Sequence, residues 1–297
     1  MFHGHRIAVV VPAYNEESWI AQVVLGVPSQ VDWVVVVDDA STDRTAAVVR
    51  GLQRPGLVLV RHNVNRGVGA AIATGYRQAE RLGSDMSIVM GGDGQMDPSD
   101  LSALMAPILF GRADYVKGNR FLHRDVWSVM PLQRIVGNML LSWVTRYSSG
   151  YRGSFDSQCG YTAITTDAAR RLGAFHRGYG YCNDVLARLH GVGAHVRDVS
   201  VRPIYNGAES GIRIKTAFYP IGWVLTKSWL RRLVREHWPR FAWPALLRWL
   251  FDREADEPSG PVVVWISLPA NEMPRRDVMH PAFNRQTSIG VLVSSGR

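Results

Sequence analysis

Five short polar segments, each just behind an apolar run, carry the groups in this 297-residue chain that can do chemistry. They are Pro12-Ala13-Tyr14-Asn15-Glu16, Asp38-Asp39-Ala40-Ser41-Thr42-Asp43, Asn65-Arg66-Gly67-Val68-Gly69, Gly92-Asp93-Gly94-Gln95 and Gly118-Asn119-Arg120-Phe121. Carboxylate and amide oxygens suit a hard divalent cation, and such a cation suits a ligand that carries a diphosphate. Arg120 adds a planar cation with several donors, the kind that meets phosphate oxygens. Taken singly, an aspartate behind a strand is as often a turn former or a cap. Five such segments in order weigh more, because an open α/β sheet binds its ligand at the carboxyl ends of its strands.

The elements that must position them follow from hydrophobic periodicity. Short β-branched runs alternate with amphipathic stretches through the first ~120 residues, the pattern of βαβ units around a mainly parallel sheet. Strands are expected near 7–11, 34–37, 57–60, 87–90 and 115–117, with helices near 17–25, 42–52, 69–82 and 98–109. Asp97, followed by Pro98 and Asp100, reads as the N-cap of the last of these and is left out of the site. Farther on, 130–147 reads as an apolar helix carrying Arg134 and Asn138, a helix is expected from about Asn183 to Leu189, and 194–204 looks like a strand.

In this order the five segments resemble the inverting family-two glycosyltransferases of GT-A fold, over about residues 7–213. The likeness is strongest to the branch that loads sugars onto polyprenyl phosphate, the dolichyl-phosphate mannose synthase-like enzymes. It implies an α/β fold with a mostly parallel mixed sheet flanked by helices, in a domain at 1–212 split into a nucleotide-sugar half (1–121) and an acceptor half (122–212). It implies that Pro12, Tyr14 and Glu16 line the nucleotide pocket, and that Asp39, with Asp38 beside it, accepts hydrogen bonds from base or ribose. Asp93 and Gln95 would reach a magnesium or manganese ion and the diphosphate, and Arg120 would meet phosphate. Asp184 aligns with an acid heading a helix, where it would be the base for a hydroxyl acceptor; for a phosphate acceptor, Asp184 or Asp156 would only position groups. Arg213 or Lys215 would close over the donor, and Arg134 would serve the lipid phosphate. One position departs from the pattern: where the family usually has an acid two residues before Asp93, this chain has Gly91.

Basic residues exceed acidic ones by 34 − 25 = 9, which points to an anionic partner. Seven of them lie between Ile212 and Arg240 against one acid, Glu236, and five of the ten tryptophans fall in or just beyond that stretch. The segment 213–251 therefore reads as a C-terminal amphipathic helical arm lying at a membrane surface, with a packed helix or an oligomer contact as the plainer alternative. The tail, 252–297, is proline-rich and expected to be loosely attached, although 262–268 has strand composition. No apolar run reaches the ~20 residues a membrane span needs, and no export signal is visible, so a cytosolic, peripherally membrane-associated protein is expected. Two cysteines are too few for a disulfide framework or a thiolate metal site. Gly67-Val68-Gly69 lacks the spacing of a dinucleotide loop, and nothing resembles a nucleic-acid recognition module, so no nucleic-acid partner is expected. Two readings stay open beside lipid glycosylation: a saccharide or small-molecule hydroxyl as acceptor, and a catalytically silent nucleotide-binding protein.

Overall fold

Four consecutive valines, Val34 to Val37, cannot turn one polar face to water, so a strand there must be covered on both sides. In the computed structural model, which describes residues 4–151, 153, 156–205, 214–237, 262–268 and 289–293, this run is β2 (Trp33–Asp38). Val34 and Val36 enter one core layer and Val35 and Val37 the other. Its neighbour β1 (Ile7–Ala13) splits in the same way, with Ile7, Val9 and Val11 on one side and Val10 on the other. At about 1.5–3 kcal/mol for each fully buried aliphatic side chain, these two strands contribute a large share of the burial energy.

The described strands form one sheet in the order β7-β5-β6-β4-β1-β2-β3-β8-β9. β3 (Leu57–His62), β2, β1 and β4 (Met86–Val89) are parallel neighbours. β6 (Thr162–Thr165) runs antiparallel between β4 and β5 (Tyr115–Asn119), while β7 (Val196–Ser200) is parallel to β5. The carboxyl ends of β1 to β5 and the start of β6 therefore share one edge of the sheet. From the tail, β8 (Val262–Leu268) pairs antiparallel with β3 and β9 (Ile289–Val293) parallel with β8. The β-branched run at 262–264 supplies that pairing, and Trp265 is held by Arg50 at 5.6 Å from its ring. The rest of the tail lies outside the described residues.

One helical layer comprises α1 (Ile20–Gly26), α2 (Thr45–Gly51) and α4 (Leu101–Leu109); the other comprises α3 (Val68–Arg81), α7 (Thr166–Leu172) and α8 (Tyr181–Gly191). Asp97 caps the turn ahead of α4, its side chain accepting from Ser99 N at 2.9 Å. Between these layers and the C-terminal end run α5 (Val126–Val129), α6 (Leu132–Ser149) and α9 (Ile214–His237). α9 is the described part of the basic arm. It packs on α6 and α8 through Ile221, Val224, Leu225 and Ser228, with even Lys227 and Arg231 largely covered. Among the described residues no helix is long and apolar enough to cross a membrane.

α3 approaches β1 closely because Gly75 has no side chain: a Cβ there would collide with both methyls of the buried Val10. Gly75→Ala should therefore cost about 1–3 kcal/mol in urea unfolding, and Val10→Ala in the same chain should recover part of it. Unchanged stability in Gly75→Ala would contradict this packing.

Candidate active site

Two non-glycine residues on the shared edge adopt left-handed backbone, Asn15 (φ 58°) and Ala40 (φ 63°), a conformation that costs an L residue about 1 kcal/mol. Bonds between the loops that follow β1 and β2 offset this. Asn15 N donates to Ser41 Oγ (3.0 Å) and Thr42 N to Asn15 Oδ1 (2.9 Å), while Glu16 N donates to Thr45 Oγ1 (2.8 Å). Glu17 joins the same seam, with its N donating to Asp43 and its carboxylate accepting from Arg44 N. The seam holds Pro12, the exposed Tyr14 and Glu16 at the mouth of the crevice.

Asp38 and Asp39 lie at the end of β2, both buried. Asp38 Oδ1 accepts from Ser41 N, and Arg61 Nε lies 2.9 Å from Oδ2, an ion pair without hydrogen-bond alignment. Asp39, expected from the family resemblance to meet base or ribose, is already engaged by its own chain. It accepts from His62 Nδ1 (2.7 Å), Arg66 N (2.9 Å) and Gly67 N (2.7 Å), and is 3 % exposed. His62 continues to Thr74 Oγ1 at 3.0 Å, and Arg77 donates to that same hydroxyl. Asp39, His62, Thr74 and Arg77 form one largely buried hydrogen-bonded chain, in which the carboxylate accepts from Nδ1. Asp39 thus ties the end of β2 to β3 and to the loop before α3. His62 and Thr74 were missed from sequence, although His62 sits in the strand register of Val58 and Val60, and an inward-facing polar residue there requires a buried partner.

At the end of β4, Asp93 folds back to accept from Gln95 N (3.0 Å), and Gly91 N donates to Met96 Sδ. A Cβ on Gly92 would lie 3.2 Å from the Pro12 carbonyl and 3.4 Å from Glu16 Cγ, so this turn and the β1 loop are in close approach. Burial raises the Asp93 pKa. Glu16 is pushed up to about 7, by its own burial first and then by the charges of Asp93 and Asp43. Repulsion falls on Glu16 because it ionises after Asp93. A Cβ on Gly91 would stand 3.0 Å from Asp93 Oδ1, so an acid at 91 would share a cation with Asp93. Without it, no cluster of three His, Cys, Asp or Glu side chains is formed among the described residues. What remains, one carboxylate, one amide and a nearby half-buried glutamate, fits a hard cation that keeps water and takes other ligands from a diphosphate.

Arg120 follows β5 on the same edge. Its Nε and Nη2 donate to Asp156 at 2.7 and 3.0 Å, and its backbone N to the same carboxylate. Burial opposes its charge, but Asp156 more than offsets that and holds the guanidinium above its usual range. Arg134 stacks 5.2 Å from the Tyr205 ring beside it. Asp184 lies at the head of α8 as expected, in its first turn behind the cap residue Gly180, and is buried. It accepts from Arg188 Nε (2.8 Å), Arg231 Nη1 (2.9 Å) and His176 N (2.9 Å). It therefore ties α8 to α9 and to the 176–178 loop, whose Arg177 carbonyl accepts from Gly69 N at 2.6 Å. Arg213 lies outside the described residues.

Sheet order and crevice define a GT-A fold, and solved structures agree. Glucosyl-3-phosphoglycerate synthase from Mycobacterium tuberculosis, crystallised with Mn2+, uridine diphosphate and phosphoglyceric acid, superposes with a TM-score of 0.59 at 19 % identity, covering 77 % of this chain and 78 % of that one. Residues 8–173 match glycosyl transferase family 2, and the chain belongs to that family. It is 31 % identical to UDP-N-acetylglucosamine–dolichyl-phosphate N-acetylglucosaminyltransferase of Methanococcus voltae over 67 % of this chain and 86 % of that protein. It is 28 % identical to polyprenol monophosphomannose synthase of Mycolicibacterium smegmatis over 73 % and 85 %. The protein is a glycosyltransferase whose relatives act on polyprenyl and dolichyl phosphates.

The raised Glu16 pKa has a sign that can be checked. Its stabilising contribution is complete below the unfolded value of 4.5 and is lost as pH rises through about 7. Glu16→Gln should match wild type at low pH and gain stability above neutrality, on the order of 1 kcal/mol after screening of this half-buried group. Thermal melts across that range read it, and parallel curves for the two proteins would contradict it. Asp184→Ala should lower unfolding stability by about 3–5 kcal/mol, since it removes the carboxylate that two arginines share in the interior. A variant with native stability and lost turnover would instead restore Asp184 as a base.

Proposed function

We propose that the protein moves a hexosyl group, with inversion, from a UDP- or GDP-sugar to polyprenyl phosphate at the cytosolic face of a membrane. The observation that carries this reading is the contrast on the acceptor side. Asp184, the carboxylate a hydroxyl acceptor would need as base, is buried under two arginines, whereas Arg120 and Arg134 flank Tyr205, whose hydroxyl is buried without a partner among the described residues. A phosphate acceptor is already anionic and needs cations rather than a base.

On this reading Pro12, Tyr14 and Glu16 border the nucleotide, with Asp39 shaping the wall behind it. Asp93 and Gln95 would hold a magnesium or manganese ion, which supplies charge for the departing diphosphate when bound. Arg120, oriented by its fork with Asp156, and Arg134 hold the acceptor phosphate so that one oxygen faces the anomeric carbon opposite the nucleotide. That oxygen forms the new C–O bond as the bond from the anomeric carbon to the diphosphate oxygen breaks, and no proton is transferred. Positioning and fixed positive charge make up most of the catalysis available here. Relatives named for dolichyl-phosphate and polyprenol substrates support the lipid acceptor, and the manganese and uridine diphosphate of the glucosyl-3-phosphoglycerate synthase crystals support the donor and ion.

Incubation with labelled nucleotide sugars, polyprenyl phosphate and magnesium or manganese tests the proposal. Label should enter the organic phase, and Asp93→Ala should lower that transfer by about a thousandfold, the scale of losing a main electrostatic group, with the fold intact. Label passing only to water-soluble saccharides, or full activity in Asp93→Ala, would refute it.

A further inference from the structure

Where the family resemblance expects an acid, the turn behind β4 has Gly91. A hard divalent cation takes oxygen ligands, and its affinity is set by how many of them are charged. Asp93 and Gln95 alone give it one carboxylate and one amide. The structure holds a second carboxylate against the same turn, from a different strand end. Glu16 follows β1, and its Cγ stands 3.4 Å from where a Cβ on Gly92, the residue between Gly91 and Asp93, would be. The main chain at Glu16 is fixed: its N donates to Thr45 Oγ1 at 2.8 Å, and its carbonyl accepts from Trp19 N (3.0 Å) and Ile20 N (2.9 Å) at the start of α1. Asn15 just before it keeps a left-handed backbone (φ 58°), the kind of strain that persists where surrounding bonds impose it and that gathers at ligand sites.

The side chain, by contrast, is unengaged. Among the described residues the Glu16 carboxylate has neither a hydrogen-bond donor nor an ion-pair partner, although it is half-buried. Leaving such a group unsatisfied works against the fold. Its neighbour Glu17 shows the ordinary outcome, accepting from Arg44 N at 2.9 Å with the Arg44 guanidinium 3.6 Å away. Burial, and after it the charge of Asp93, oppose ionisation of Glu16, so the two carboxylates lie within range of one another. We propose that Glu16 is itself a ligand of the divalent cation, supplying from the end of β1 the carboxylate that Gly91 does not supply from the end of β4. Asp93, Glu16 and Gln95 are then the protein's share of the shell, and water or diphosphate oxygens complete it. The ion would thereby tie the β1 loop to the β4 turn. The inference rests on the proposed reading of Asp93 and Gln95 as ion-holding residues, but ion binding can be measured without turnover and without lipid.

The test is titration of the full chain with Mn2+ alone, above neutral pH, read by the electron paramagnetic resonance of the free ion. Wild type should take up one ion per chain. Glu16→Gln should weaken that uptake about tenfold or more, the scale of losing a group that holds a metal, while its melting temperature without the ion is no lower than that of wild type. Glu17→Gln removes the same charge one residue away and should bind like wild type. Gly91→Asp combined with Glu16→Gln should recover the wild-type affinity, since a Cβ at 91 stands 3.0 Å from Asp93 Oδ1. Equal binding by wild type and Glu16→Gln overturns the proposal, as does an equal loss in Glu17→Gln, a loss that Gly91→Asp does not recover, or a wild type that takes up no ion. Absent transfer to polyprenyl phosphate with this pattern of affinities intact would instead refute the proposed acceptor and leave the Glu16 ligand standing.

Discussion

A buried carboxylate holding three donors, Asp39, ties the end of β2 to the end of β3 and to the loop that starts α3. Such a group is costly to bury unless each oxygen is satisfied, and here His62 and two backbone N–H groups satisfy it. The geometry this imposes reaches further. With Gly67 and Gly69 fixed, the start of α3 meets the Arg177 carbonyl, and the 176–178 loop is held in turn by Asp184 from α8. Residues from the first 121 positions and from 122–212 are thereby joined by hydrogen bonds.

The crevice itself is an arrangement of opposed charges. Glu16 and Asp93 repel one another behind β1 and β4, while Arg134 lies over the Tyr205 ring and Arg120, behind β5, is oriented by its pair with Asp156. A ligand with a negative diphosphate and an associated cation would relieve the first, and an anionic acceptor the second. Gly91 leaves the Glu16 and Asp93 set one carboxylate short of what an acid there would give, so that on the proposed reading more of the task of holding a cation falls to the substrate's own oxygens.

α6 and α9 show how much a helix's environment can reverse its sequence pattern. Read alone, 132–149 is a helix whose leucines, valines and tryptophan belong in a core; in the fold its hydroxyl face is the buried one, because Ser157 and Asn183 supply partners for Ser142 and Thr145. The basic arm shows the opposite case, with Lys227 and Arg231 drawn under cover by packing and by Asp184.

The order of strands and helices as far as β5, the convergence of Glu16, Asp93 and Arg120 on one edge, and the cap at Asp97 could be read from the chain, because period-two and helical patterns, turn residues and caps are local signals carried by adjacent residues, whereas the short strand β6 that enters the sheet between β4 and β5, α7 behind it and β9 could not. Pairing between distant segments carried no such signal. That Asp39 would meet His62, Arg120 would meet Asp156, and Asp184 would be claimed by Arg188 and Arg231 depends on which surfaces the layers bring within hydrogen-bond reach. Side-chain partners and the solvent-facing side of α6 are properties of packing, and packing is settled by the whole chain at once.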